Sequence, residues 1–314
     1  VSSALSLFCP AKLNLHLRIT GRRADGYHLL ETLFHAIDLG DDLVAERIDG
    51  PMSLAVTADD PRDALPPSDD NLVLRAARAF CARAGVSPSF AFHLHKRVPH
   101  GGGLGGGSSD AAGALRLCNA LCGEPLDRAA LLDVARPLGA DVAFFLDGGT
   151  QWGRGVGDEL EAVADAPSLH FTLLIPPFGC PTIDVYKTRA AMWKGSQGVD
   201  TIGRVRDQLH DVADATVRGE IVNDLAAAAE LVRPELARVR ERAESLCVGR
   251  VAMTGSGSTL FVAAGSEREA MRQRERLAPI AEMSVRMIAA RSFGPAPVPR
   301  PVRTPPPGRS GERA

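Results

Sequence analysis

A chain of 314 residues, 45% apolar and 24% charged, falls in the globular range and can bury a sizeable core, as two domains or one large one. Its formal net charge of −2, with basic and acidic residues interleaved, gives no field that would attract nucleic acid or an anionic membrane. The first residues alternate in polarity and carry Lys12, His16 and Arg18, unlike a signal peptide, and no stretch reaches the roughly 18 apolar residues of a membrane span, so a soluble, cytoplasmic protein is expected.

In chain order, Leu13, Leu15, Leu17 and Ile19 alternate with polar residues within 4–20, the period of a half-buried strand. A polar turn over 21–26 follows, and the apolar stretches 29–37 and 43–48 predict more sheet. Residues 58–70, rich in Asp and Pro, predict a surface loop. Asn71 opens a helix to residue 84, and Phe90, Phe92 and Leu94 alternate with Ala91, His93 and His95 as the next strand. This strand leads into PHGGGLGGGSS and then DAAGALRLCNAL, whose alanines and leucines favour a helix beginning near Ser108. Asp127 predicts the cap of a further helix, because its side chain can accept from a first-turn amide. GGTQWGRGVG reads as a glycine-studded strand, and the charged, proline-containing residues 158–168 mark a boundary between domains 1–165 and 166–293.

The second part predicts a strand at 171–175, two or three helices between 182 and 247, strands at 251–253 and 260–263 joined by a turn, a helix from Glu267 and a strand at 284–288. Residues 294–314 are proline-rich with almost no large apolar side chain, so a disordered tail is expected. Six cysteines are scattered without paired metal-ligand spacing and read as small hydrophobes.

The chemistry concentrates in 101–107, where six of seven residues are glycine, followed by Ser108 and Ser109. Glycine lets backbone amides converge on one point, and a following helix adds unpaired amides and the positive end of its dipole. A strand–glycine loop–helix of this kind predicts a phosphate cradle. It is not a Walker A loop, because Gly107 stands where lysine is required. The dinucleotide alternative wants a second strand ending in an acid, whereas Glu124 falls in a loop just beyond the helix. Asp110 is expected to be structural, an acid meeting the dipole in the first helical turn. His93, His95 and His100 do not form a convincing metal site, since no carboxylate accompanies them.

The run PHGGGLGGGSSDAA resembles the central signature of the GHMP kinases, the superfamily of galactose, homoserine, mevalonate and phosphomevalonate kinases. PAKLNLHLRITGRRADGYHLLETLFHAIDLGDDL, GADVAFFLDGGTQWGRGVGDEL, NDLAAAAELVRPEL and MTGSGSTLF resemble further segments, in order, over residues 5–290, of the branch that combines AKLN with DGYH. The resemblance implies an α+β fold of two domains, a ribosomal-protein-S5-like N-terminal domain and a ferredoxin-like C-terminal domain, with the active site in the cleft. It implies ATP and Mg2+ as cofactors, the metal's protein ligands being unassigned. The implied reaction is transfer of the γ-phosphate to the 2-hydroxyl of 4-diphosphocytidyl-2-C-methyl-D-erythritol, in the non-mevalonate route to isoprenoid precursors, by a monomer or homodimer. Another GHMP kinase, of sugar or homoserine type, and a silent nucleotide-binding sensor are the alternatives.

Matched residue by residue, the resemblance makes Asp141 the base that takes the hydroxyl proton and Lys12 its cationic partner. Pro99, His100, Gly101, Gly102, Gly103, Leu104, Gly105, Gly106, Gly107, Ser108 and Ser109 would hold the nucleotide. Tyr27, His28 and Tyr186 would take the cytosine, sandwiched between two tyrosines, and Asn14 and Thr182 the erythritol and diphosphate. Gly255, Ser256 and Gly257 would add a second backbone loop. Without the resemblance, Lys12 reads as a solvated edge charge, Asp141 as a helix cap and the tyrosines as structural residues. Ala143 stands where the family often has proline.

Overall fold

The computed structural model describes residues 4–24, 26–63, 68–87, 89–192, 222–246 and 251–302. Two long strands, β1 (Ala4–Arg22) and β2 (His28–Arg47), pair antiparallel along almost their whole length and form the spine. The two sequence stretches 29–37 and 43–48 are thus one strand, irregular opposite the Pro10/Ala11 step. The far part of β2 pairs with β4 (Phe90–Lys96), which runs parallel to β3 (Ser53–Ala58), and its near part pairs with β5 (Thr150–Arg154). The stretch expected to be an interdomain connection contains β6 (Glu159–Ala162), which pairs with β5 and belongs to this first sheet.

Four helices cover one face of the sheet: α1 (Leu72–Ala84), α2 (Gly106–Leu121), α3 (Arg128–Ala135) and α4 (Ala140–Asp147). Their starts follow from the expected chemistry in two cases. Asn71 accepts from the N–H of Val73 at 2.9 Å, and Asp127 from that of Ala130 at 2.8 Å. A core that includes Leu7, Cys9, Leu43, Phe80, Phe92, Leu115 and Phe144 fills the space beneath them.

A second antiparallel sheet, in the order β10-β7-β9-β8, is made by β7 (His170–Ile175), β8 (Ala252–Met253), β9 (Leu260–Ala264) and β10 (Arg286–Arg291). The helices described with it are α5 (Thr182–Ala191), α6 (Ala226–Val232), α7 (Pro234–Leu246) and α8 (Glu267–Leu277). Any helix expected within 193–221 lies outside the described residues. Among the described residues no helix is long and apolar enough to cross a membrane.

The two sheets share a third cluster, in which Leu13, Leu15, Leu33 and Trp152 meet Phe171, Leu173 and Phe261. Strand β1 feeds all three cores: Leu7 and Cys9 pack under the helices, Leu13 and Leu15 between the sheets, and Leu17 and Ile19 against α5–α7. Because β1 is covered on both sides, its polar alternates Lys12, Asn14 and His16 are buried as well, contrary to the half-buried expectation.

The expected disordered tail does not hold over 294–302. There Gly149 N–H donates to Gly294 O, Ala296 N–H to Asp147 O and Val302 N–H to Ala4 O, while β11 (Arg300–Pro301) pairs with the outer edge of β1. Proline suits this place because an edge strand offers positions where no N–H is required. Residues 303–314 lie outside the described residues. A chain ended after Phe293 is expected to melt roughly 3–6 °C lower through the loss of these bonds. Thermal denaturation checks this, and an unchanged curve would show that the edge contributes nothing.

Candidate active site

A cleft of about 1560 Å³ opens where β1, the glycine loop, the start of α4, α5 and the turn before β9 converge. Residues 99–105 form the loop, and α2 starts at Gly106, two residues earlier than expected. At Gly103 the backbone has φ +77, and an added Cβ would lie 2.4 Å from the carbonyl oxygen of Thr254, so only glycine fits. Gly105, at φ +72, turns the chain into α2.

Four successive carbonyls of the loop are tied down by the protein. Gly102 O accepts from Thr259 N–H at 3.2 Å, Gly103 O from Thr254 Oγ1 at 3.4 Å, Leu104 O from Lys12 N–H at 3.0 Å and Gly105 O from Ser109 N–H at 3.0 Å. The N–H groups of Gly106, Gly107 and Ser108 precede any i−4 carbonyl of their own helix. Amides open to a ligand and carbonyls held by the protein are what an anion needs. Pro99, His100, Gly101 through Gly107 and Ser108 line the cleft. Ser109 does not: its side chain is turned into the interior, and Ser109 is only 2% exposed.

Beside this loop stands a charged pair. Lys12 Nζ lies 3.4 Å from Asp141 Oδ2, donates to Asn14 Oδ1 at 2.6 Å and rests 5.7 Å from the centre of the Phe34 ring. The Lys12 side chain is 4% exposed, so it is not a solvated edge charge, whereas that of Asp141 is 29% exposed and reaches the cleft. Asp141 occupies the first turn of α4 after the cap residue Gly139, where the dipole favours a carboxylate. Ala143, buried in the same helix, leaves that placement intact.

Asn14 is fixed from three sides. Its N–H donates to Thr254 Oγ1 at 3.0 Å, and its Nδ2 donates to Thr32 Oγ1 at 2.7 Å, which leaves Oδ1 facing the ammonium. The turn 254–259 closes on the pair, since a Cβ on Gly255 would lie 3.3 Å from Lys12 Nζ. Asn223 ties that turn to α6 by donating to Met253 O and Gly255 O.

At the other end, Thr182 and Ser256 share a hydrogen bond of 2.9 Å between hydroxyls. The His28 and Tyr186 rings meet at 5.2 Å between centroids, tilted by 41°. Burial first, then the neighbouring Arg22 and Arg189, lowers the His28 imidazole below its ordinary range. Burial, and secondarily Asp141, pushes the Tyr186 hydroxyl up to about 12, so it stays protonated. Tyr27 is 66% exposed at the mouth. The aromatic partner of Tyr186 within the protein is thus His28.

One polar cluster escapes the sequence reading. Lys96 Nζ donates to Asp110 Oδ2 at 2.7 Å and to Asp41, all three side chains being almost fully buried at the floor of the loop. Burial lowers the Lys96 ammonium, but Asp110 and Asp41 outweigh it and raise it to about 12. Burial drives Asp110 the other way for an acid, upward, against the opposing pull of Lys96. Asp110 therefore answers a lysine, not the dipole: it is the fifth residue of α2, beyond the first turn. The available signal was periodic, since Phe90, Phe92 and Leu94 point inward along β4 and Lys96 is next in that series.

Residues 71–149 match the family described as GHMP kinases N terminal domain. A 4-diphosphocytidyl-2-C-methyl-D-erythritol kinase of Salinispora arenicola (strain CNS-205) is 37% identical over 277 residues, covering 87% of each chain. A crystal structure of 4-(cytidine 5'-diphospho)-2C-methyl-D-erythritol kinase superposes with a TM-score of 0.71 at 35% identity, over 92% of this chain and 99% of that one. A homoserine kinase from Cytophaga hutchinsonii superposes with a TM-score of 0.70 at 19% identity, over 96% and 98%, a likeness of fold alone. With the two-domain α+β fold of the GHMP kinases and this degree of identity along nearly its whole length, the chain belongs to the 4-diphosphocytidyl-2-C-methyl-D-erythritol kinase family.

Proposed function

We propose that this chain transfers the γ-phosphate of ATP to the 2-hydroxyl of 4-diphosphocytidyl-2-C-methyl-D-erythritol, in the non-mevalonate route to isoprenoid precursors, in the cytoplasm. The observation that carries the reading is the Lys12–Asp141 pair, 3.4 Å apart and opening on the same cleft as the glycine loop. Phosphoryl transfer asks mainly for positioning and charge stabilisation. The amides of 101–108 hold the phosphates, Lys12 offsets negative charge near the acceptor oxygen, and Asp141 receives the hydroxyl proton. Asn14 keeps the ammonium aimed at this point. The division proposed near residue 165 gives each domain one wall of the cleft.

Magnesium fits the oxygen donors on one wall. A Cβ on Gly139 would lie 3.9 Å from Ser108 Oγ, which brings that hydroxyl close to the turn carrying Asp141. Among the described residues no cluster of three His, Cys, Asp or Glu side chains is placed to hold a metal, as suits an ion bound largely through phosphates and water. Ser108 would hold it together with the nucleotide's own phosphate oxygens, and it would supply neutralisation of phosphate charge when bound, leaving the Asp141 carboxylate to the proton.

The cytosine is assigned to the end bearing Tyr27, His28 and Tyr186, with Thr182 and Asn14 nearer the polyol and diphosphate. Tyr27→Ala should raise KM for the acceptor about five- to hundredfold, the range of one base–aromatic stack, with KM for ATP and kcat little changed. Its exposure keeps folding out of the comparison. Unchanged acceptor KM would remove Tyr27 from recognition. Coupled ADP release tests the whole reading: turnover with the cytidine diphosphate acceptor and none with homoserine or galactose supports it. ATP binding without turnover on any of them would make the chain a sensor.

A further inference from the structure

We infer that Asp63, held by Arg286, is a positioning residue that sets the entry of the glycine loop and thereby its affinity for nucleotide phosphates. The inference rests on the assignment of that loop to ATP. The physical need for such a residue comes from composition. A loop with six glycines in seven residues has more backbone freedom to lose than any other segment of this length, so its bound shape must be imposed by contacts. From Gly102 to Gly105 those contacts are the carbonyl bonds already described. They leave the entry of the loop, at His100, to be fixed by something else.

That contact is Asp63. It lies in a short helical turn, Pro61–Asp63, that follows β3, and its side chain is 7% exposed. Its Oδ1 accepts the His100 N–H at 3.1 Å, and its Oδ2 accepts from Arg286 Nη2 at 2.9 Å. Both oxygens are therefore engaged, one on the loop and one on the second sheet. Arg286 opens β10, and its Nη1 also reaches Asp60 Oδ2 at 2.8 Å, so one guanidinium joins two carboxylates of the turn after β3 to the edge of the second sheet. The turn itself is fastened to β4 through Asp59 N–H, which donates to Lys96 O at 3.1 Å.

The charges explain why the pair is needed. A bare carboxylate at the entry of an anion site would repel phosphate, whereas one whose second oxygen is covered by a guanidinium orients the backbone with that repulsion largely cancelled. Hydrogen bonds that involve an ionised group are stronger than neutral ones, and this one fixes the peptide that precedes Gly101. Removing Asp63 frees the loop's entry, and removing Arg286 both loosens the carboxylate and uncovers its charge. Both changes act on nucleotide binding, through the loop, and neither reaches the acceptor end of the cleft.

The test compares Asp63→Ala, Asp63→Asn and Arg286→Gln with the parent chain by amide hydrogen exchange over 100–105, by binding of a non-hydrolysable ATP analogue, and by KM for each substrate. Asp63→Ala should speed exchange of the His100 amide, the loop N–H bonded to that carboxylate, at least tenfold with protection elsewhere unchanged. It should also weaken analogue binding about tenfold, while acceptor KM stays within about twofold. Asp63→Asn keeps an acceptor oxygen and should stay within about threefold of the parent, and Arg286→Gln should weaken the analogue at least about threefold. A merely structural role would lower the melting temperature without this split. Unchanged exchange of the His100 amide in Asp63→Ala, or Asp63→Asn as damaging as Asp63→Ala, would overturn the inference. Should Asp63→Ala not fold, Arg286→Gln decides, and unaltered analogue binding there overturns it. A parent chain that does not bind the analogue counts against the kinase reading, and the exchange contrast still decides the role of Asp63.

Discussion

Asp141→Asn is expected to lower kcat by about 10²- to 10⁴-fold while ATP binding is retained, the range attributed to a positioned base. The substitution keeps the shape of the side chain and its place in the first turn of α4, so the fold is preserved. What it removes is the ability to take a proton. The phosphate contacts lie on 101–108, and the triphosphate should bind the variant as it binds the parent. Single-turnover kinetics with a separate ATP-binding measurement checks this. Turnover within a few-fold of the parent would exclude Asp141 as the base.

Lys12→Met should cost about 10²- to 10³-fold in kcat, comparable to the loss of one preorganised group facing developing charge. Methionine can fill the channel taken by the lysine stem beside Phe34, but Asn14 Oδ1 and Asp141 lose their shared cation. Because the Asp141 side chain is 29% exposed, water can solvate it, and the variant should remain folded. Lys12→Arg should not restore activity. The backbone at Gly255 stands so near Nζ that a Cβ there would lie 3.3 Å from it, and a planar guanidinium needs more room than an ammonium. Recovery of more than about a tenth of the parent rate by arginine would show that charge alone, not fit, is what the site requires.

The elements that the sequence makes legible are those whose signals are local. Asn71 and Asp127 announce helix starts because a side-chain oxygen two or three residues ahead of an amide is a short-range fact. The glycine loop is legible for the same reason, standing between the alternation of Phe90, Phe92 and Leu94 and an alanine-rich helix. Likewise Leu13 and Leu15 reveal a buried face of β1, though not that Lys12 and Asn14 on the other face are buried too. That second burial arises from the turn 254–259 and from α4, far away in the chain, and alternation along a strand carries no information about what covers its polar side.

The remaining departures have the same origin. The charged stretch near 158–168 resembles a linker in composition, but β6 pairs through its backbone, which composition does not report. The proline-rich residues 294–302 bury little apolar surface, yet their carbonyls and few N–H groups meet an open edge of β1 and the turn at 147–149. Lys96, Asp41 and Asp110 come together from β4, β2 and α2, so no single segment displays the cluster. By contrast, the pairing of Lys12 with Asp141, separated by 129 positions, was reached through resemblance to a family and not through any property of either residue.

A crystal structure with a non-hydrolysable ATP analogue and the cytidine diphosphate acceptor bound together addresses the central arrangement most directly. The triphosphate should rest on the amides of 101–108, with the acceptor's 2-hydroxyl between its terminal phosphate and the Asp141 carboxylate and Lys12 within reach of the same oxygen. A nucleotide bound elsewhere, or an acceptor hydroxyl directed away from Asp141, would contradict it.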